Sequence, residues 1–308
     1  YTIEAFLDDG EKEFGGYDVI ILWQPFPKIG IDQRNQFDFW RDMPGGLEGL
    51  RNVVARAHNK GVRCLVNYVP WDEGTRQEEV ADAQAIAEIV RAIDADGIFG
   101  DTMPGFPPEV YEELKQVGSH LVLESESVPM FEGIQRQVGV WIQDIVLHPM
   151  LVPLPRWIEP RFKCFGVNRQ LEDRQLLIAW SFFMGMGLVV WENVFGWWNP
   201  FNGQDRAMIR RMKPLLKANS DAFMDANWQP LPVPDTPGLF ANLWKAGDKT
   251  VVTLLNMTDE PINKASVFIP QEAGFYHYFD VWNGCTLDTK FPKGEATTVQ
   301  VIVDIDPQ

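Results

Sequence analysis

The sequence is poor in the residues that build metal and thiol chemistry. It has 3 cysteines and 4 histidines among 308 residues. An odd cysteine count without Cys-x-x-Cys spacing argues against a disulfide framework and a zinc site, so we expect inert thiols at Cys64, Cys164 and Cys285. So few histidines also leave little material for a Ser/His/Asp triad. We therefore predict no metal ion and no cofactor.

Long apolar runs and positive charge are scarce as well. Residues 176–191 are the most apolar stretch, but Ser181, Gly185 and Gly187 interrupt it before the ~20 residues that a membrane helix needs. The chain has 27 Lys and Arg against 43 Asp and Glu, a net charge of −16, and this field repels phosphate backbones and anionic lipid. Nucleic acid and membranes are therefore not expected as partners. Localisation and oligomeric state stay open.

Short apolar segments alternate with amphipathic ones over the first two thirds of the chain. The candidate strands are 18–23, 63–69, 97–101, 121–126, 140–146, 164–168 and 187–192. Helical spacing of apolar residues between them is typical of right-handed βαβ units on a parallel sheet. No glycine-rich phosphate loop follows a strand, which favours a (β/α)8 TIM barrel over an open doubly wound sheet. We interpret residues 3–14 as the helix after a first strand that is missing from the chain.

The composition and the hydrophobic pattern of the sequence change near residue 228. Four prolines between 230 and 237 predict a stiff linker. Short alternating segments at 239–244, 250–256, 265–269, 276–282 and 297–305 follow, separated by turn residues. We therefore predict a barrel domain over residues 1–227 and a small antiparallel β-sandwich domain over residues 228–308.

Carboxylates stand where several of the predicted strands end. Strand 97–101 ends at Asp101, and strand 121–126 ends in Glu124-Ser125-Glu126. In a barrel the carboxyl ends of the strands carry the active site, and adjacent strands are roughly 5 Å apart. Glu124 and Glu126 share one face of their strand, so either can lie beside Asp101. Retaining glycoside hydrolases need two carboxyl groups at roughly this separation.

Aromatic residues are abundant near the same strand ends. They are Trp23, Tyr68, Trp71, Trp191, Trp197 and Trp198. Sugar rings present apolar C–H faces that stack on such side chains. The combination of paired carboxylates and strand-end aromatics therefore favours a carbohydrate ligand.

Four segments carry a resemblance to known proteins: Gly61–Arg76, Asp96–Met103, Leu123–Ser127 and Val190–Gly196. They look like a group of bacterial proteins treated as TIM-barrel glycoside hydrolases, and the likeness spans most of residues 18–215. With its C-terminal sandwich, the layout is similar to that of the α-amylase-like and α-galactosidase-like clans. The arginine that the α-amylase signature has two residues before its nucleophile is absent, because Phe99 stands there.

The resemblance implies catalytic roles when strand 18–23 is counted as the second. Both clans place an aspartate nucleophile after the fourth strand, which is Asp101 here. The α-amylase-like clan has a glutamate acid/base after the fifth strand, Glu126, with Glu124 as the alternative. The α-galactosidase-like clan takes its acid from an aspartate after the sixth strand, Asp144. We expect a retaining glycosidase that hydrolyses an O-glycosidic bond, α-linked, in a carbohydrate substrate.

Other residues near the strand ends are expected to contact the sugar. They are Trp23, Asn67, Tyr68, Trp71, Asp72, Arg76, Asp144, Trp191, Glu192, Asn193 and Trp197. Two other functions fit the same residues. The carboxylates could hold Mg²⁺ or Mn²⁺ in a metal-dependent enzyme, although no lysine or histidine ends a strand as a base. Alternatively, the barrel binds carbohydrate without catalysis.

Overall fold

The computed structural model describes residues 2–26, 32–72, 75–143, 154–169, 174–231, 233, 236–270, 276–290 and 298–307. The chain divides into two compact units. The first comprises Tyr1–Gln143, Pro153–Pro155 and Phe162–Phe165, and the second comprises Asp144–Val152, Arg156–Arg161 and Gly166–Gln308. This grouping differs from the domain boundary expected after residue 227, which stays a prediction.

Helices and strands alternate from the N-terminus onward. The order is α1 (Ile3–Phe14), β1 (Val19–Leu22), α2 (Gln36–Arg41), α3 (Gly46–Asn59), β2 (Arg63–Tyr68), α4 (Asp82–Ile93), β3 (Gly97–Gly100), α5 (Pro108–Val117), β4 (Val122–Ser125), α6 (Phe131–Ile134) and β5 (Gly139–Gln143). It continues with α7 (Leu154–Ile158), β6 (Lys163–Val167), α8 (Gln175–Phe183) and β7 (Gly187–Leu188). The predicted strand at 187–192 is therefore only two residues long.

Strands β1 to β7 form one sheet in chain order. The pairs β1–β2, β2–β3, β3–β4 and β4–β5 are parallel. In β2 every residue from Cys64 to Tyr68 is buried, as expected for a parallel strand that is covered on both faces. The predicted α/β class with a parallel sheet is thus confirmed. Among the described residues no strand pairing joins β7 to β1, so closure into a barrel stays a prediction.

The helices of the first unit bury apolar stripes against this sheet. In α4, Ile86, Val90 and Ile93 are almost fully buried and belong to one core cluster with residues of β2 and β3. Local signals set the helix ends. Thr2 caps α1 by accepting the N–H of Ala5 at 3.3 Å, and Gly15 ends it with φ 75°. Within the described ranges, no helix is long and apolar enough to span a membrane.

The rest of the chain is rich in short antiparallel strands. Its elements are β8 (Asn193–Val194), β9 (Trp197–Trp198), α9 (Gly203–Ala218), α10 (Ser220–Phe223), β10 (Trp228–Leu231), β11 (Leu239–Ala246), β12 (Lys249–Asn256), β13 (Ile262–Pro270), β14 (Phe279–Asp280), β15 (Cys285–Thr286), β16 (Thr289–Lys290) and β17 (Thr298–Ile305). The sheets β10–β11–β12 and β13–β17–β16 share one hydrophobic core. An antiparallel C-terminal β region is therefore present.

One part of the predicted linker is a strand. Residues 228–231 form β10, which pairs with β11, and Pro230 lies opposite Asn242. Proline has no N–H to donate, but β10 is the edge strand of its sheet, so only one of its sides needs hydrogen bonds. The proline-rich composition alone did not indicate this pairing.

Candidate active site

The register of three neighbouring strands brings Asp101 and Glu126 together. Tyr68, Gly100 and Ser125 are aligned across β2, β3 and β4. The N–H of Asp101 donates to the carbonyl of Tyr68 at 2.9 Å, and the N–H of Glu126 donates to the carbonyl of Gly100 at 3.0 Å. The parallel ladder thus continues one residue beyond each strand. Asp101 and Glu126 lie side by side at the carboxyl edge of β3 and β4.

The alternation of side chains along the strands defines two layers on one face of the sheet. Phe99 and Asp101 share this face, and so do Glu124 and Glu126, because side chains two residues apart point the same way. Phe99 and Glu124 are aligned partners. Phe99 and Glu124 therefore form an inner layer, and Asp101 and Glu126 form an outer layer at the edge.

Glu124 is a buried carboxyl group with one well-defined donor. The indole N–H of Trp141 donates to its Oε1 at 2.8 Å. Burial raises the pKa of the Glu124 carboxyl to about 7, although the hydrogen bond from Trp141 lowers it. Glu124 therefore exchanges its proton near neutral pH, one layer below the Asp101–Glu126 pair.

The carboxylate of Glu126 is tied to the turn that follows Asp101. The N–H of Thr102 donates to Glu126 Oε2 at 2.6 Å. Thr102 has φ 58°, a left-handed conformation that costs a non-glycine residue about 1 kcal/mol or more. Both carboxylate residues are largely buried, with 7% exposure for Asp101 and 6% for Glu126. This hydrogen bond ties the Glu126 carboxylate to the turn that directly follows Asp101.

A row of aromatic rings runs along the same part of the first unit. Phe99 contacts Trp141 at a ring-centroid distance of 4.4 Å and Trp23 at 5.5 Å. Phe26 continues the row, 6.3 Å from Trp23 and 5.4 Å from Trp71. Neither Trp23 nor Trp71 is fully buried. Trp23 thus contacts Phe99 of β3 directly, and Trp71 is connected to it through Phe26 and Trp23. Both tryptophans were predicted to contact sugar.

Asn67 lies in the inner layer with a partner that the sequence analysis missed. Asn67 is aligned with Phe99, and its Nδ2 donates to Gln24 Oε1 at 3.3 Å. Both amides are buried, and within the described part of the chain Asn67 Oδ1 and Gln24 Nε2 have no hydrogen-bond partner. A spare acceptor beside a spare donor is what a hydroxyl group or a water molecule requires. The signal for Gln24 was a polar residue directly after β1 and Trp23.

Tyr68 points to the other side of the sheet. It follows Asn67 in β2, so its side chain is directed toward the helices. Its hydroxyl donates to Asp82 Oδ2 at 3.1 Å, and burial raises the pKa of both Tyr68 and Asp82. The structure does not bring Tyr68 to the face that carries Asp101 and Glu126.

Asp72 and Arg76 make contacts within the loops around α2. Asp72 Oδ2 accepts the N–H of Gln36 at 2.7 Å. Arg76 Nη2 donates to Asp38 Oδ1 at 2.5 Å and to Glu78 Oε1 at 2.6 Å. These contacts organise the loops, and the expected contact of Asp72 and Arg76 with a sugar stays a prediction.

The remaining predicted residues belong to the second unit or are not described. Glu192 Oε1 accepts from Arg206 Nη2 and from the N–H of Phe201, both at 2.9 Å. Trp191 is half-buried, and Asn193 and Trp197 are exposed. Asp144 lies outside the described residues, so its expected role stays a prediction. Within the described ranges, no three His, Cys, Asp or Glu side chains are grouped so that they could hold a metal ion.

The fold is that of an α/β protein with a parallel sheet and a C-terminal β region, and carboxylates follow two of its strands. No protein-family model and no curated protein sequence matches the chain. Solved structures do. An α-amylase from Geobacillus thermoleovorans, in complex with acarbose, has a TM-score of 0.64 at 12% identity over 99% of this chain and 90% of that chain.

Two further solved structures are similar over nearly the whole chain. A noncanonic maltogenic α-amylase from Thermotoga neapolitana has a TM-score of 0.64 at 14% identity, over 99% of this chain and 92% of that one. A debranching enzyme from Nostoc punctiforme has a TM-score of 0.61 at 12% identity, over 99% and 86%. The expected likeness to TIM-barrel glycoside hydrolases is thus confirmed at the level of the fold.

Proposed function

We propose that the chain is a retaining glycoside hydrolase that cleaves an α-linked O-glycosidic bond. The observation that carries the proposal is the side-by-side position of Asp101 and Glu126 at the carboxyl edge of β3 and β4. Parallel strands are roughly 5 Å apart, close to the carboxyl separation of roughly 5–5.5 Å in retaining enzymes. The fold of the α-amylases and the debranching enzyme supports an α-linked glucan as the substrate class.

The two carboxyl groups divide the reaction into two displacements. Asp101 attacks the anomeric carbon while the bond to the leaving oxygen breaks, and Glu126 transfers its proton to that oxygen. A covalent glycosyl ester on Asp101 results. Glu126 then removes a proton from water, which attacks the same carbon and releases Asp101. The sugar leaves with its original anomeric configuration, and both side chains return to their starting protonation states.

Glu126 suits the acid/base role better than Glu124 because it lies in the outer layer, at the edge of the sheet. Glu124 lies one step further from the edge, and its Oε1 is engaged by Trp141. Its pKa of about 7 suits a proton reservoir below the outer layer, since burial there disfavours the charged form. Asn67 and Gln24 supply the spare acceptor and donor for a sugar hydroxyl, and Trp23 and Trp71 supply ring faces.

Aryl glycosides with leaving groups of different acidity test the two roles. Asp101→Asn removes the nucleophile, so turnover should fall by several orders of magnitude for every leaving group. Glu126→Gln removes the acid, so substrates with good leaving groups should still form the covalent intermediate, while those with poor leaving groups should not react. Glu132→Gln, at an exposed position of α6, is the matched control and should leave turnover unchanged.

The stereochemistry of the first product tests the mechanism separately. Proton NMR of a freshly cleaved glycoside should show the α-anomer before mutarotation. A β-anomer would refute retention. Near-native turnover of Asp101→Asn would show that Asp101 is not the nucleophile. A leaving-group effect for Glu124→Gln but not for Glu126→Gln would assign the acid role to Glu124. Loss of activity in EDTA that Mg²⁺ or Mn²⁺ restores would favour the metal-dependent enzyme.

A further inference from the structure

The turn that follows β4 is fastened to the turn that follows β3. β4 ends at Ser125, so the backbone of Glu126 and Ser127 lies outside the strand. The N–H groups of these two residues nevertheless donate to the carbonyls of Gly100 and Met103, both at 3.0 Å. The two turns that carry the paired carboxylates are therefore joined through their backbones.

The carbonyl groups of the same two residues accept from side chains. Gln143 Nε2 donates to the carbonyl of Glu126 at 3.3 Å. Ser125 Oγ donates to the carbonyl of Ser127 at 2.9 Å. All four backbone polar groups of Glu126 and Ser127 are thus hydrogen-bonded, as regular structure requires, although no strand continues here. Two of the four bonds depend on the identity of a side chain.

A third side chain orients the hydroxyl group of Ser125. Gln137 Nε2 donates to Ser125 Oγ at 2.6 Å and to the carbonyl of Gly139 at 3.1 Å. Because the amide donates to this oxygen, the hydroxyl hydrogen is directed to the carbonyl of Ser127. Ser125 is fully buried and Gln137 is 5% exposed, so water competes poorly for these bonds. We refer to Ser125, Gln137 and Gln143 as the neutral clamp.

The neutral clamp reaches the turn from both faces of the sheet. The side chain of Ser125 points away from the face that carries Glu124 and Glu126, since neighbouring residues of a strand alternate. Gln143 shares the face of Trp141, two residues earlier in β5, and Trp141 contacts Glu124. The two bonds that reach the turn end on backbone carbonyls, so they orient Glu126 without binding its carboxyl group.

The neutral clamp contains only uncharged side chains, and this suits an acid catalyst. Glu126 must carry a proton when the bond to the leaving oxygen breaks, and a cationic partner would favour its ionised form. We propose that Ser125, Gln137 and Gln143 are positioning residues, which place the carboxyl group of Glu126 at the leaving oxygen of the substrate. The inference rests on the proposed function for the role of Glu126 and adds the residues through which that role is set.

The dependence of kcat/KM on the leaving group tests the proposal, in a series of aryl glycosides. Ser125→Ala removes the hydroxyl group, and Gln143→Met removes the amide at nearly constant length. Each should lower kcat/KM about tenfold for poor leaving groups and less than about twofold for good ones, because only the poor ones need the proton of Glu126. Gln137→Met should act in the same direction but more weakly, because the Ser125 hydroxyl remains.

Rescue by a conservative variant and two matched controls separate positioning from stability. Ser125→Thr keeps the hydroxyl group and should keep the leaving-group dependence of the unmutated chain. Ser181→Ala changes another fully buried serine, whose hydroxyl has no hydrogen-bond partner within the described residues. Gln135→Met changes an exposed glutamine at the end of α6. Both controls should leave kcat/KM unchanged, and urea unfolding verifies that every variant is folded in the assay.

A double-mutant cycle shows whether the neutral clamp acts through Glu126. In the Glu126→Gln background, Ser125→Ala and Gln143→Met should have no further effect on the leaving-group dependence, because the proton that they help to place is gone. A further loss in that background would overturn the inference. An equal loss for all leaving groups in the single variants would overturn it too, since a merely structural role predicts that result, and so would single variants that behave like the unmutated chain.

Glu126→Gln by itself judges the proposed function. If it shows the expected leaving-group effect and the clamp variants do not, the proposed function stands and only the present inference fails. If Glu126→Gln shows no leaving-group effect, both fail.

Discussion

The indole N–H of Trp141 lies 2.8 Å from Glu124 Oε1, and the same ring packs on Phe99 at 4.4 Å. One tryptophan thus contacts both Phe99 and Glu124 in the inner layer, beneath the Asp101–Glu126 pair. Its N–H favours the charged form of Glu124, whereas burial favours the neutral form and has the larger effect. Burial and the hydrogen bond from Trp141 therefore set the pKa of Glu124, and the next two predictions follow from this.

Glu124→Gln should stabilise the protein at alkaline pH. The folded-state pKa of about 7 lies above the ordinary value of 4.5, so the stability linked to this proton is complete below pH 4.5 and is lost as the pH rises through 7. Glutamine stays neutral, and its carbonyl still accepts the Trp141 N–H. We expect a gain of about 3 kcal/mol at pH 8 and almost none at pH 4, from urea unfolding. Equal effects at both pH values would contradict the raised pKa, and Glu132→Gln serves as the control.

Trp141→Phe should raise the pKa of Glu124 further. Phenylalanine keeps a ring against Phe99 but donates no hydrogen bond to the carboxyl, and that bond lowers the pKa. The carboxyl ¹³C shift of labelled Glu124 should therefore titrate at higher pH in the variant than in the unmutated protein. A lower or unchanged midpoint would show that the indole N–H does not favour the charged form. Glu124→Gln identifies the resonance by its loss.

Gly97→Ala should disrupt the pairing of β3 with β4. Gly97 has φ 157°, and a Cβ atom added to it would lie 2.0 Å from the carbonyl oxygen of Val122. Because the obstacle is backbone, the strands must separate. We expect a loss of at least about 3 kcal/mol of unfolding free energy, together with lower turnover, since this pairing aligns Asp101 with Glu126.

Gly61→Ala provides the matched control for that variant. Gly61 has φ 75°, but a Cβ atom there has no neighbour within 4 Å. Only the left-handed backbone is strained, which costs about 1 kcal/mol. Gly97→Ala must therefore be clearly less stable than Gly61→Ala in the same urea titration. Equal stability would mean that the close approach of the two strands is relieved by other means.

Asp96→Asn should weaken the fold without changing the chemistry of the site. Asp96 accepts from Arg63 Nη1 at 2.6 Å and from the N–H of Cys64 at 2.8 Å, and its Oδ2 is 2.7 Å from His58 Nε2. Burial raises the pKa of Asp96, but the hydrogen bonds with Arg63, Cys64 and His58 and the charge of His58 outweigh it and hold the pKa below the ordinary value of 3.8. The stabilisation is therefore present above pH 3.8 and is lost as the pH falls through the lower folded-state value.

Chemical unfolding at two pH values measures this contribution. At pH 7, Asp96→Asn should cost about 2 kcal/mol, and the difference should shrink at pH 3. Asp94→Asn is the control, because Asp94 is exposed and asparagine tolerates its φ of 60°. Turnover per folded molecule should be unchanged, since Asp96 precedes β3 and Asp101 follows it. A loss of turnover with stability intact would contradict this separation.

Much of the parallel sheet could be predicted because its signals are local. Buried runs such as 63–69 and 97–101 match β2 and β3 closely, and residues 3–14 form α1 as expected. The segment at 187–192 was too long, because periodicity cannot show where a neighbouring strand stops pairing. Residues 230 and 231, the start of the predicted linker, belong to β10, because proline at a sheet edge looks like proline in a loop.

The residues of the candidate site could likewise be predicted only where their signal is local in the sequence. A carboxylate directly after an apolar strand is visible in the sequence, so Asp101 and Glu126 could be found. Glu124 could not be separated from Glu126, because two residues of one strand share a face and only the neighbouring strands define which lies nearer the edge. The side of the sheet on which Tyr68 lies depends on register in the same way. Gln24 was missed because its partner Asn67 is 43 residues away.

By itself, the sequence determined the apolar segments that form most of the parallel sheet and the carboxylates that follow two of its strands, and its composition predicts acid/base chemistry rather than thiol, histidine or nucleic-acid functions. Only the tertiary structure decided which groups meet: Asp101 with Glu126, Glu124 with Trp141, and Asn67 with Gln24. The physical reason is that periodicity reports only on residues that are near each other in the chain. These contacts depend instead on hydrogen bonds between strands that are far apart in the chain.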